Sequence, residues 1–158
     1  MKIGFASAAV VGLLAATPAF ALEASKTVDV AASPEKVWQT IGDFCGIANW
    51  HPAIEKCVPG QQNGMPTRTL SLKGGGTILE QQTGRSDSGM QYSYTILQSP
   101  LPVTDYHSTI SVKKVGSGSV ITWSGTFKAN GASDADAMKA IQGIYDTGLD
   151  ALASKARG

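Results

Sequence analysis

The side chains with chemistry of their own are few in this 158-residue chain: two histidines, two cysteines and four tyrosines. His51 has the most restrictive setting, between Trp50 and Pro52. Proline disfavours helical geometry in the residue before it, so Pro52 fixes the backbone of His51, while Trp50 is placed to restrict the ring by packing. A partly buried imidazole among tyrosine hydroxyls could donate or accept a hydrogen bond, and its charge would follow pH. As a general acid/base it could work with Tyr94 or Tyr106 steadying an enolate. The plainer alternative is a core histidine bonded to a backbone carbonyl. The tyrosines have an equally plain alternative, core packing with satisfied hydroxyls. Glu80 is open to three readings: solvated, paired with Arg68, or an acid facing a pocket.

Other chemistries lack their residues. There is no G-x-S-x-G elbow, and the glycines at 74–76 sit in a hairpin rather than a phosphate-binding loop. His51 and His107 stand far apart, so no metal site is expected. His51 with Cys45 and Cys57 is a conceivable ligand set that a disulfide would exclude. No cofactor is implied. Basic residues number 13, Lys2 among them, against 12 acidic ones, with no basic cluster to neutralise phosphates. Nucleic-acid binding is therefore not expected.

The N-terminus sets the compartment. Lys2, the apolar run from Ile3 to Leu14 and the small-x-small triplet Ala19-Phe20-Ala21 have the pattern of a signal peptide cleaved after Ala21. The expectation is residues 1–21 as signal and 22–158 as one exported domain, periplasmic or secreted. No other stretch is long and apolar enough to span a bilayer. In an oxidising compartment Cys45 and Cys57 are expected to form a disulfide, with two buried free thiols as the alternative.

The elements that position these residues follow from periodicity. Ala24 to Ala31 alternates as a first strand. Ser33-Pro34 starts a helix that Gly42 closes, and a second short helical turn covers Gly46 to Asn49. Strands are then expected at Ile54–Val58, Thr67–Leu72, Thr77–Thr83, Met90–Gln98, Val103–Val115 and Ser119–Phe127. Pro59-Gly60 is expected to stop the first of these, and hairpin spacing makes the sheet antiparallel. A long helix capped at Ser133 or Asp134 ends the chain, with Met138, Ile141, Tyr145, Leu149 and Leu152 as its apolar stripe.

This order, with Val37-Trp38, Phe44, the corner Trp50-His51-Pro52-Ala53-Ile54, Leu101-Pro102-Val103, Tyr106 and Thr122-Trp123-Ser124-Gly125, resembles the SRPBCC superfamily. That is the START-like or helix-grip fold of polyketide cyclases/dehydrases, the major birch pollen allergen and plant abscisic-acid receptors. Small exported bacterial members, including MxaD-like proteins associated with methanol oxidation, are the nearest likeness. The resemblance covers residues 24–156. It implies an α+β fold in which a curved antiparallel sheet of about seven strands wraps a long C-terminal helix, with two short helices after the first strand. It also implies a cavity between sheet and helix. Tyr94, Tyr106 and Thr122, and Ala140, Ile144 and Gly148 on the helix, match pocket positions of the plant receptors. His51 matches the lysine that there contacts a ligand carboxylate. Trp50 and Ile54 of the corner and Tyr92 complete the expected ligand-binding set, while Trp38 and Trp123 are expected as core or sheet-covering residues rather than ligand contacts. The implied function is the binding of a small apolar or amphipathic molecule, with a periplasmic oxidation partner as a further expectation. The alternative is a cyclase/dehydratase-like enzyme using His51.

Overall fold

The computed structural model describes residues 20–158, so most of the expected signal peptide lies outside the described residues. Seven strands form one antiparallel sheet: β1 (Leu22–Val30), β2 (Ile54–Gln62), β3 (Met65–Leu72), β4 (Thr77–Ser86), β5 (Gln91–Gln98), β6 (Val103–Val115) and β7 (Gly118–Ala129). Their spatial order is β1-β7-β6-β5-β4-β3-β2, so every neighbouring pair but β1–β7 is a sequential hairpin. Two helices complete the fold, α1 (Pro34–Ile41) and α2 (Asp134–Arg157), with a 3₁₀ turn at Gly46–Asn49 between α1 and β2. This is the α+β helix-grip architecture: α2 lies in the curve of the sheet, mainly against β1 and β7.

Local chemistry sets the helix ends. The Ser33 hydroxyl accepts from the Lys36 amide and Pro34 occupies the first helical position of α1. Gly42 ends the helix at φ 73°, a conformation costly for residues with a Cβ. Ser133 caps α2 in the same way through the Asp136 amide. On α2, Ala137, Ile141, Tyr145, Leu149 and Leu152 face the sheet; Met138, expected in that stripe, is only partly buried.

The strands run longer than their propensities suggest. β2 continues through Pro59 to Gln62, because β2 is an edge strand and the missing proline N–H costs no ladder bond on its open side. β4 likewise runs to Ser86, and the turn moves to Asp87–Met90. The convex face carries short hydroxyls in register, such as Ser25, Ser124, Thr109 and Ser93. The concave face carries the core.

Cys45 and Cys57 are joined, with Cα atoms 5.6 Å apart, so the disulfide ties the lead-in to the 3₁₀ turn onto β2. Closing so short a loop stabilises by about 2–3 kcal/mol in the chain-entropy view.

Candidate functional site

A cavity of about 310 Å³ lies between the concave sheet and α2. Strands β3 to β5 supply Leu70, Leu72, Ile78, Glu80, Tyr94 and Ile96, β6 and β7 supply Tyr106 and Trp123, and α2 supplies Ile141 and Ile144. Ile47 of the 3₁₀ turn and the corner residues His51, Ala53 and Ile54 close one side. The β3–β4 hairpin at Lys73–Gly75 and Leu101 of the β5–β6 loop complete the lining. The wall is mostly aliphatic and aromatic, and its polar groups are concentrated in Glu80, His51 and the two tyrosines.

Of the expected ligand-binding residues, His51, Ile54, Tyr94, Tyr106 and Ile144 lie on this wall. Trp50 lies behind it, its indole N–H donating to the Ile41 carbonyl at 3.3 Å and its ring edge-on to Trp123. Tyr92 is buried against Trp38 and Phe44. Thr122 points to the convex face, 3.4 Å from the Thr27 hydroxyl; the inward residues of β7 are Ile121, Trp123 and Phe127. A one-residue offset on a strand exchanges the faces, and the alternation Ile121-Thr122-Trp123-Ser124 already carries that signal. Ala140 is not part of the wall. Gly148 is buried, but its side-chain space is filled by the rings of His51 and Trp123. Trp123 and Glu80 are among the wall residues that lie outside the expected ligand-binding set.

Both nitrogens of His51 are occupied. Nε2 lies 3.1 Å from the Ile144 carbonyl, which can only accept, and Nδ1 accepts from the Ala53 amide at 3.2 Å. That pair of bonds requires the neutral, Nε2-protonated tautomer. Burial lowers the pKa of the ring, the Ile144 carbonyl opposes this, and the Arg68 charge adds to the lowering. His51 is held as a neutral wall residue.

The buried charges beside the cavity are a pair directly across β3 and β4. Arg68 and Glu80 are register partners, and Arg68 Nε meets Glu80 Oε2 at 2.5 Å. Arg68 is wholly buried; it donates to the Phe44 carbonyl and stacks 4.0 Å over the Phe44 ring. Burial works against the Arg68 charge, but Glu80 and the nearby tyrosines more than offset it and the guanidinium stays protonated. Burial pushes the Glu80 carboxyl up, with Arg68 pulling the other way. The pair is oriented: Glu80 is on the cavity wall and Arg68 is behind it.

Five side chains form a hydrogen-bonded ring beside that pair. Trp123 Nε1 donates toward both Tyr94 and Ser108, at 3.1 and 3.0 Å. Tyr106 lies 3.3 Å from Tyr94 and 2.6 Å from Tyr145, and Tyr145 lies 3.0 Å from Ser108. Proton counting gives the ring a direction. Ser108 gives its single proton to the Ser124 carbonyl at 2.8 Å, so Tyr145 must donate to Ser108 and Tyr106 to Tyr145. Tyr94 alone is left with a weakly held proton, on a 3.3 Å contact. Burial raises the pKa of Tyr94, Tyr106 and Tyr145, the last to about 12, so all three stay neutral donors and acceptors.

No cluster of three or more metal-ligating side chains occurs among the described residues. No helix there is long and apolar enough to cross a membrane.

A family model described as polyketide cyclase/dehydrase and lipid transport matches residues 21–157. The chain belongs to that family. As a family member it is similar to the XoxI protein of Bacillus cereus, at 37% identity over 84% of this chain and 94% of that one, with a TM-score of 0.77. It is also similar to an uncharacterised protein of Bacillus thuringiensis, at 34% identity, 87% and 100% coverage and a TM-score of 0.80. The Zhui aromatase/cyclase of Streptomyces sp. R1128 shares the fold, at 17% identity, 87% and 94% coverage and a TM-score of 0.71. No curated protein matches the sequence. The polyketide cyclase/dehydrase and lipid transport family thus agrees with the SRPBCC resemblance.

Proposed function

We propose that this member of the family is an exported, periplasmic binding protein for a small apolar or amphipathic molecule. The observation that carries the reading is the cavity, with aliphatic and aromatic walls and a few convergent polar groups, the usual make-up of a small-molecule site. The signal-like N-terminus and the Cys45–Cys57 disulfide support export to an oxidising compartment. An accessory role to a periplasmic oxidation system fits the same location. Retention rather than turnover is favoured by His51, whose two nitrogens are already bonded and whose proton is committed to Ile144. A cyclase-like reaction would have to use Glu80 and Tyr94 instead, two titratable wall groups whose protons or lone pairs are not tied up in the short Tyr106–Tyr145 bond.

The test uses an apolar fluorescent reporter, N-phenylnaphthylamine. Its emission is expected to rise with wild-type protein, and Leu72→Trp, which plugs the partly buried Leu72 position, is expected to abolish the rise. Equal enhancement by both proteins would place reporter binding elsewhere and remove the basis for the reading.

A further inference from the structure

The acid–base pair in the cavity faces one way, and that direction constrains what can bind. Glu80 presents its carboxylate to the wall, with Oε2 held by Arg68 Nε. Arg68 does not contribute to the lining: it is sandwiched behind Glu80, over Phe44 and 5.0 Å from the Tyr94 ring centre. A ligand in the cavity therefore meets the negative member of the pair, and the positive member is screened from it.

Of the neighbouring groups, Tyr106 presents the same polarity and His51 is neutral to it. The Tyr106 proton is committed to Tyr145 at 2.6 Å, which leaves the Tyr106 oxygen able only to accept. His51 has given its one proton to the Ile144 carbonyl and spent its lone pair on the Ala53 amide, so it offers no charge and no free donor. Tyr94 is the single hydroxyl able to donate without breaking a short bond. Among the described residues, the lining's cation without an ion-pair partner is Lys73, in the exposed β3–β4 hairpin.

Resting on the binding reading above, we propose that the cavity selects a neutral molecule whose buried end carries a proton donor, an alcohol, phenol, enol or amide N–H, directed at Glu80 and Tyr106. A carboxylate at that end would face a carboxylate and an accepting hydroxyl with no cation to balance it. Burying such a charge unpaired is heavily disfavoured. An acidic group on a ligand is tolerated only at the hairpin, beside Lys73. The specificity is for a donating head group, set against an anionic one by repulsion as much as by attraction.

Three probes of one shape test this at neutral pH: naphthalene, naphthol and naphthoate, titrated by their own fluorescence into the full mature protein. Naphthol is expected to bind at least about tenfold more tightly than naphthoate and more tightly than naphthalene, as a site built for a buried donor requires. Glu80→Gln leaves the Arg68 charge unbalanced and is expected to reverse the preference toward naphthoate. Should that variant fail to fold, Arg68→Met/Glu80→Leu removes both charges and is expected to bind naphthalene while losing the preference for naphthol. Naphthoate binding the wild type as well as naphthol would overturn the head-group inference while leaving the cavity reading intact, as would a double variant that keeps the naphthol preference. Failure of naphthalene and both derivatives to bind the wild type would overturn both.

Discussion

Gly148 of α2 gives up its side-chain space to His51: a Cβ placed there would lie 2.5 Å from the imidazole Cδ2 and 2.8 Å from Nε2. The same Cβ would come within 2.8 Å of the Trp123 ring. The glycine is what lets a ring from the Trp50-His51-Pro52 corner rest on the helix and bond to the Ile144 carbonyl one turn back. Gly143, five residues earlier on the same helix, has open space where its Cβ would be.

The two glycines should therefore respond oppositely to alanine. Gly143→Ala gains helix propensity with no clash and is expected to stabilise by about 0.5–1 kcal/mol. Gly148→Ala meets two rings held by neighbours, and overpacking of that kind costs about 1–3 kcal/mol, which exceeds the propensity gain. Urea denaturation of both variants measures the difference; equal stabilisation by both would show that the rings move aside freely.

The lowered His51 pKa has a definite sign in stability. The unfolded chain, with an imidazole pKa of ~6.5, takes up the proton before the folded protein does as pH falls. The His51 contribution is thus complete above pH ~6.5 and is lost as the pH drops through that value and through the lower folded pKa. Urea midpoints followed from neutral to mildly acidic pH should fall more steeply for wild type than for His51→Asn. Parallel profiles would show that His51 titrates as freely folded as unfolded.

Breaking the Arg68–Glu80 pair on one side should cost far more than deleting it. Arg68→Ala leaves Glu80 buried without its partner, a situation worth about 3–5 kcal/mol in other proteins. Replacing both with apolar residues of similar volume is expected to lie nearer the wild type. The comparison is again a denaturant midpoint, and a double variant as unstable as the single one would contradict a desolvated ion pair at this position.

Reduction of Cys45–Cys57 is expected to destabilise by about 2–3 kcal/mol without unfolding the sheet, because it frees only the short loop before β2. Thermal unfolding with and without reductant measures this, and alkylation of the unreduced, denatured protein should add no mass. An added mass would show free thiols.

Most of the frame was legible because its signals are local. Ser33-Pro34, Gly42 and the Gly74–Gly76 hairpin mark boundaries through backbone chemistry that tertiary packing does not override. The alternation of β5 and β6 placed Tyr92, Tyr94, Tyr106 and Ser108 on the inner face, as found. Pro59 misled because its cost depends on whether β2 is an edge, which sheet order decides. Glu80 stayed ambiguous because periodicity gives a face but does not tell whether a charge on the inner face finds a partner across the register. The helix residues Ala140 and Gly148 show a further limit. A small residue marks space, and the sequence does not say whether a ligand or a neighbouring ring, here His51, fills it.

The claim that the cavity holds a small molecule is tested most directly by native mass spectrometry of the protein purified from its native host. The account predicts a protein–ligand species with one defined small mass, released on denaturation and absent from Leu72→Trp. Recovery of wild type carrying no small mass, or the same mass retained by Leu72→Trp, would contradict it.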